Sequence, residues 1–119
     1  MREIKFRGWN KTRKLFDDDF YIYFIGGAFC FGGNQEIEID DLEVTQYTGL
    51  KDKNGVEIYE GDIVKIKLNE NESANATVAY KKSSFSTYLT DACFYYLSSV
   101  NFVSEVIGNI YENPELLEK

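Results

Sequence analysis

Apolar residues along this chain mostly alternate with polar ones or form short runs rich in aromatic and β-branched side chains. Alternation with a period of two is typical of half-buried β-strands, whereas the spacing typical of amphipathic helices is scarce here. Strands are therefore predicted at residues 4–9, 20–25, 28–31, 37–39, 46–50, 56–59, 63–68, 76–80, 85–89, 92–97 and 103–111. The pattern predicts a mainly β protein made of antiparallel strands.

Two short sequences predict how the chain turns or ends a strand. Asn54 followed by Gly55 supplies the two positive φ angles of a type I′ turn, so the strands before and after it should form a hairpin. Asn113 followed by Pro114 places a good helix cap before a good first helical residue. A short helical turn is therefore expected at residues 114–117.

The length of 119 residues suits one compact unit better than two independent domains. Within it we distinguish a smaller β-rich N-terminal part, residues 1–45, from residues 46–119, which contain the predicted hairpin. Cys30 and Cys93 are the two cysteines and form no CxxC pair, so neither a disulfide framework nor a structural zinc site is expected.

The composition argues against familiar catalytic centres. The sequence contains no histidine, which is the usual base for a serine or cysteine nucleophile and a common ligand of transition metals. The acidic run at 17–19 lacks the downstream glycine and glutamate of a calcium loop. The glycines at 26–27 and 32–33 are not followed by the Gly-Lys-Ser or Gly-Lys-Thr sequence and helix of a phosphate-binding loop. We expect no catalytic residues, no cofactor and no metal, with a carboxylate-dependent metal enzyme as the less favoured alternative.

Charge is unevenly distributed along the chain. Residues 1–14 carry six basic side chains and one acidic one, a net charge of +5, whereas the whole chain carries −7. The period of two places Lys5, Arg7 and Trp9 on one face of the first strand, and Arg2 lies just before it. Basic side chains next to an aromatic ring suit phosphates and nucleobases, but the favoured interpretation is that this basic strand lies beside acidic strands that offset its charge. These four are the candidate interaction residues.

Three blocks of the sequence resemble the YopX family of phage and prophage proteins. They are residues 1–9 (MREIKFRGW), 46–65 (QYTGLKDKNGVEIYEGDIVK) and 105–117 (EVIGNIYENPELL). The resemblance implies a C-terminal SH3-like β-barrel preceded by a smaller β-rich part. Because the family has no established activity, the resemblance assigns no site residue.

Polar residues within the matched blocks have a structural explanation that competes with a functional one. Lys51, Asp52, Glu60 and Asp62 all stand at predicted turns or strand ends, where side chains commonly bind the backbone. The stretches 10–45 and 66–104 show no such resemblance, which leaves any function located there unassigned.

Together these observations favour a non-enzymatic protein-interaction or assembly module. Aromatic residues make up 16% of the chain, which also suits self-association, so a homo-oligomer is expected. The expected partner is a host or phage protein, and nucleic acid bound by the N-terminal strand is the alternative. Since neither a signal peptide nor a membrane-spanning apolar stretch is seen, we expect the protein in the host-cell cytoplasm, without a membrane partner.

Overall fold

The computed structural model describes residues 4–16, 20–25, 28–33 and 42–117 of the chain. They form a mainly β protein whose strands divide between two compact units. The smaller unit is Phe6–Thr45, and the larger unit is Gln46–Lys119 together with the described residues of Met1–Lys5. The mainly β class predicted from the sequence is confirmed.

The smaller unit contains β1 (Phe6–Asn10), β2 (Leu15–Phe16), β3 (Phe20–Ile25), β4 (Ala28–Gly33) and the beginning of β5 (Leu42–Lys51). In it β2, β1 and β5 are neighbours in that order, and β3 pairs with β4 in a separate antiparallel sheet. The turn after β1 is closed by Oδ1 of Asn10, which accepts hydrogen bonds from the backbone N–H groups of Thr12 and Arg13. The strands predicted at 20–25 and 28–31 are confirmed, and the one at 37–39 lies outside the described residues.

The larger unit contains the rest of β5, β6 (Glu57–Tyr59), β7 (Asp62–Lys67), β8 (Ser73–Lys81), β9 (Ser84–Tyr88), β10 (Phe94–Tyr96), α1 (Leu97–Val100), a 3₁₀ turn (Asn101–Val103), β11 (Ser104–Asn109) and a second 3₁₀ turn (Pro114–Leu117). Strands β7 to β10 form an antiparallel meander, and β11 returns to pair with β7. The sheet order is therefore β10-β9-β8-β7-β11. The helical turn predicted at 114–117 is confirmed.

The core of the larger unit is built from alternate residues of these strands. On β7, Val64 and Ile66 are buried while Lys65 and Lys67 are exposed, as the two faces of a strand require. The remaining members of the core come from the hairpin, β8 and the helix; they are Ile58, Ala76, Val78 and Leu97. Burial of these side chains is what holds the hairpin β5–β6 and α1 against the sheet.

The predicted hairpin is present, but its turn differs from the one expected. β5 and β6 pair in antiparallel fashion, with Lys51 opposite Glu57. In the turn Gly55 has a φ of 83°, whereas Asn54 does not have the positive φ that a type I′ turn needs, so that prediction was wrong. The side chain of Asp52 is the reason, because its Oδ1 accepts hydrogen bonds from the N–H groups of Asn54 and Val56 and fixes another backbone path.

Two consecutive positive φ angles occur in the turn that joins β8 to β9. Lys82 has a φ of 52° and Ser83 a φ of 66°, and the flanking residues Lys81 and Ser84 face each other across the strand pair. This is the two-residue, type I′ geometry that was predicted for Asn54 and Gly55.

Candidate functional site

Lys5, one of the predicted interaction residues, is engaged within the larger unit. Its Nζ lies 2.6 Å from Oε2 of Glu57. The same nitrogen is 5.6 Å from the centre of the Tyr47 ring, and the Lys5 carbonyl accepts a hydrogen bond from the Tyr47 N–H. Lys5 therefore links the N-terminal segment to the hairpin, and its charge is offset locally.

The other predicted residues are Arg7, Trp9 and Arg2. Trp9 is only 7% exposed, and its ring meets that of Phe16 edge-on, with 5.1 Å between the ring centres. The Arg7 guanidinium lies over the same Phe16 ring, 4.4 Å from its centre. Arg2 lies outside the described residues. A buried indole offers no open face on which a base could stack, so Trp9 is better explained as core of the smaller unit.

Asp52 shows what the polar residues in the matched blocks do. Its buried carboxylate accepts three backbone hydrogen bonds, from Asn54 and Val56 in its own turn and from Val106 in β11. Burial by itself would raise the pKa of Asp52, but the three N–H groups and the nearby charge of Lys53 lower that pKa below its usual value. Asp52 is thus a charged structural link between the hairpin turn and the last strand.

Two more carboxylates of the same block also bind backbone groups. Oδ2 of Asp62, which is 1% exposed, accepts a hydrogen bond of 2.8 Å from the Tyr59 N–H. Oε1 of Glu60 accepts one of 3.0 Å from the Gln46 N–H, while the Glu60 N–H donates to the Gln46 carbonyl. These contacts account for both residues as supports of the fold, so the candidates for binding are the side chains that the fold leaves exposed.

An open groove of about 450 Å³, here called the aromatic groove, lies on the larger unit. Its walls come from β5, from the β8–β9 turn with its flanking residues, and from the segment where β10 meets α1; they include Leu50, Tyr80, Ser83, Phe85, Tyr96 and Ser98. Tyr80 is 53% exposed and Tyr96 is 55% exposed. Of the residues that the structure describes, none with a charged side chain lines the groove. It therefore combines large apolar rings with hydroxyl groups that can form hydrogen bonds.

The β8–β9 hairpin holds the aromatic wall in place. Tyr80 lies directly opposite Phe85 in the strand register, and the two rings meet edge-on with 4.9 Å between their centres. Edge-to-face pairs of this kind add stability beyond the area they bury. The partly buried Phe85 contacts the core of the larger unit, so the ring of Tyr80 rests on a fixed support.

A larger groove of about 710 Å³ runs along the outer face of β8. It is bounded by the C-terminal 3₁₀ turn, where Nδ2 of Asn75 donates a hydrogen bond of 2.9 Å to the carbonyl of Leu116. Its floor consists of short side chains such as Thr77 and Ala79. The aromatic ring that lines this groove, that of Tyr88, is covered by Lys81, whose Nζ lies 4.4 Å from the ring centre. This groove has the greater volume, but the aromatic groove is the one that exposes two tyrosines, a residue type enriched among the anchors of interfaces.

A third, smaller depression of about 270 Å³ brings basic and acidic side chains together. Lys53, Lys65 and Lys67 line it, but so do three glutamates, at 70, 72 and 105. The opposite charges balance, which makes the depression a poor site for phosphate.

Within the described residues, no group of three or more His, Cys, Asp or Glu side chains is placed to hold a metal ion. Likewise, none of the helices that the structure describes is long and apolar enough to cross a membrane.

The fold and the groove define a mainly β protein that presents tyrosines beside an antiparallel meander. The family model described as YopX protein matches residues 5–118, so the chain belongs to the YopX family. Protein EF1440 from Enterococcus faecalis has a crystal structure that is similar over 99% of this chain and 100% of its own, with 31% identity and a TM-score of 0.66.

A second solved structure, protein yopX from Bacillus subtilis, is similar over 100% of this chain and 98% of its own. Its TM-score is 0.65 and its identity 20%, a level at which the likeness supports the fold alone. A comparison with curated proteins finds no match. The names of these two proteins state no activity, so they assign none to the groove.

Proposed function

We propose that this protein is a non-enzymatic interaction module that binds an extended segment of another protein in the aromatic groove. The observation that carries the proposal is the exposure of Tyr80 and Tyr96, at 53% and 55%, in a groove whose described lining carries no charge. Tyrosine is enriched at protein interfaces, because its ring buries a large apolar area while its hydroxyl still forms a hydrogen bond. Few rotatable bonds also keep the entropic cost of binding low.

The proposal includes the assignment of the larger unit as an SH3-like barrel. Support for it comes from the strand order, since β7 to β10 form a meander and β11 returns beside β7. The short 3₁₀ turn Asn101–Val103, placed just before the last strand, is a second supporting feature. SH3 domains, which give this barrel its name, bind extended, proline-containing segments in grooves lined with aromatic rings.

The partner in this proposal is a host or phage protein encountered in the cytoplasm. Self-association through the groove is the competing hypothesis, in which a second copy of the chain occupies it. Nucleic acid bound by the N-terminal strand has weaker support, because Lys5 is paired with Glu57 and Trp9 is buried.

The proposal can be tested before the natural partner is identified, by selecting displayed random peptides on the wild-type protein. Selected peptides are then measured against the double variant Tyr80→Ser/Tyr96→Ser and against a control, Phe102→Ser. Phe102 is 66% exposed but does not line the groove. We expect affinity to fall about tenfold or more in the double variant and to stay unchanged in the control.

Two results would overturn the proposal. The first is a selection that yields no peptide whose binding depends on the two tyrosines. The second is a wild-type protein that light scattering shows to be a dimer, together with a double variant that is a monomer, because the groove would then be an interface between copies. Since both tyrosines are already largely exposed, the variants should melt within a few degrees of the wild type.

A further inference from the structure

The charge around the aromatic groove differs from that of the rest of the chain. Twenty acidic residues give the protein its net charge of −7, yet residues 73–104 contain a single one, Asp91. The same stretch supplies most of the groove and contains Lys81 and Lys82. The net charge of the protein opposes a negatively charged ligand, but this stretch does not add to that repulsion.

Lys82 is the cation next to the groove in the sequence. It is exposed, and the residue that follows it, Ser83, lines the groove. Lys81 is directed elsewhere, since its Nζ lies over the Tyr88 ring beside the larger groove. Among the residues that the structure describes, no carboxylate lies within ion-pair distance of Lys82. Its charge is therefore available to a ligand.

The backbone at this position is an independent observation. Lys82 and Ser83 both adopt positive φ angles, a conformation that glycine and asparagine tolerate best and that other residues adopt at a cost in free energy. Residues held in such conformations cluster at binding sites. The turn has a lysine and a serine where Asn-Gly would fit its backbone best, and its Ser83 lines the groove that exposes Tyr80 and Tyr96.

We infer that the segment recognised by the aromatic groove is acidic, with a carboxylate next to its apolar core that pairs with Lys82. This inference rests on the proposed function, because it specifies the ligand of the same groove. The tyrosines contact the apolar core of the segment, and the β8–β9 turn holds the lysine at the edge, where it selects the flanking charge.

The test compares three labelled peptides that share one core, taken from the selection above, and carry flanking Glu, Gln or Lys residues. Fluorescence anisotropy is measured on the wild type and on Lys82→Asn, in which the charge is lost while the turn keeps a residue that tolerates positive φ. Lys82→Arg retains the charge. Lys67→Gln removes the same charge from β7, away from the groove.

We expect the Glu-flanked peptide to bind about fivefold more tightly than the Gln-flanked one, and the Lys-flanked peptide to bind most weakly. The preference should disappear in Lys82→Asn, persist in Lys82→Arg and Lys67→Gln, and shrink at high salt.

Equal, tyrosine-dependent binding of all three peptides would overturn the inference and leave the proposed function standing. No binding of any peptide would overturn both. A thymidine oligonucleotide that binds more tightly than the Glu-flanked peptide, in a Lys82-dependent way, would identify nucleic acid as the ligand instead.

Discussion

Oδ2 of Asp52 accepts a hydrogen bond of 2.9 Å from the backbone N–H of Val106, a residue 54 positions further along the chain. Next to it, the N–H of Lys53 donates to the carbonyl of Ser104 at 3.0 Å. The two hydrogen bonds connect the hairpin turn to β11, which lies at the edge of the sheet beside β7. The Asp-Lys-Asn-Gly sequence therefore holds together elements that are distant in the chain, in addition to reversing its direction.

Replacing Asp52 by Asn should destabilise the larger unit. The amide keeps one oxygen for the N–H groups of the turn but turns its NH₂ group toward the N–H of Val106, so a buried donor loses its acceptor. We expect the free energy of unfolding to fall by about 2 kcal/mol in urea titrations at neutral pH. The exposed Asp91, changed to Asn, is the control and should cost less than about 0.5 kcal/mol. Equal losses for the two variants would contradict the assigned role.

The contribution of Asp52 should also depend on pH. Since folding lowers the pKa of its carboxyl, the stabilisation is complete above the unfolded pKa of about 3.9 and is lost as the pH falls through the lower folded pKa. The difference in unfolding free energy between wild type and Asp52→Asn should therefore be constant from about pH 7 to pH 5 and shrink below about pH 4. A difference that stays constant down to pH 2, or that grows with acidity, would show that the charge of Asp52 has no such role.

Gly108 should not tolerate a methyl group. A Cβ at this position would lie 2.6 Å from Oδ1 of Asn113 and 2.9 Å from its Cβ, at the point where the pairing of β11 with β7 shifts register. We expect Gly108→Ala to lower the unfolding free energy by about 1–3 kcal/mol. In an Asn113→Gly background the same change should cost about 1 kcal/mol less, because the clashing side chain is gone. Strict additivity of the two substitutions would argue against the clash.

The turn between β8 and β9 should become more stable when its residues match its backbone. Lys82→Asn/Ser83→Gly places residues that tolerate positive φ at both positions, and we expect a gain of about 1 kcal/mol in thermal or urea unfolding. Asn54→Gly is the matched comparison, because Asn54 does not have a positive φ. Glycine there gives the unfolded chain more freedom without relieving any strain, so this variant should be less stable than the wild type. A double variant that is less stable than the wild type would contradict the observed backbone conformation.

The sequence predicted the strands well, because a strand with one buried face alternates apolar and polar residues, and this alternation is visible within a few residues. It failed where distant contacts decide the local structure. The turn at Asn54 is shaped by Asp52, whose carboxylate is also bound to Val106 in β11. The predicted strand 92–97 ends at Tyr96, since Leu97 begins α1 and is completely buried in the core.

The candidate site could not be predicted in the same way. The alternation of residues in the first strand predicted Lys5 and Trp9 as interaction residues. In the structure Lys5 forms an ion pair with Glu57, and Trp9 is buried. The aromatic groove combines residues from 80–85 and 96–98 with residues 48–50 of an earlier strand, so no alternation within one strand marks it. One signal was available in the sequence, because residues 73–104 are rich in aromatic residues and contain one acid in a strongly acidic chain.

Chemical-shift mapping of a selected peptide on the isotopically labelled wild-type protein locates the surface that the peptide contacts. If the peptide binds in the aromatic groove, the largest shifts of backbone amide signals fall on Leu50, on residues 80–85 and on residues 96–98, which surround it. Shifts concentrated instead on Asn75, Thr77 and Leu116, along the larger groove, would contradict binding in the aromatic groove.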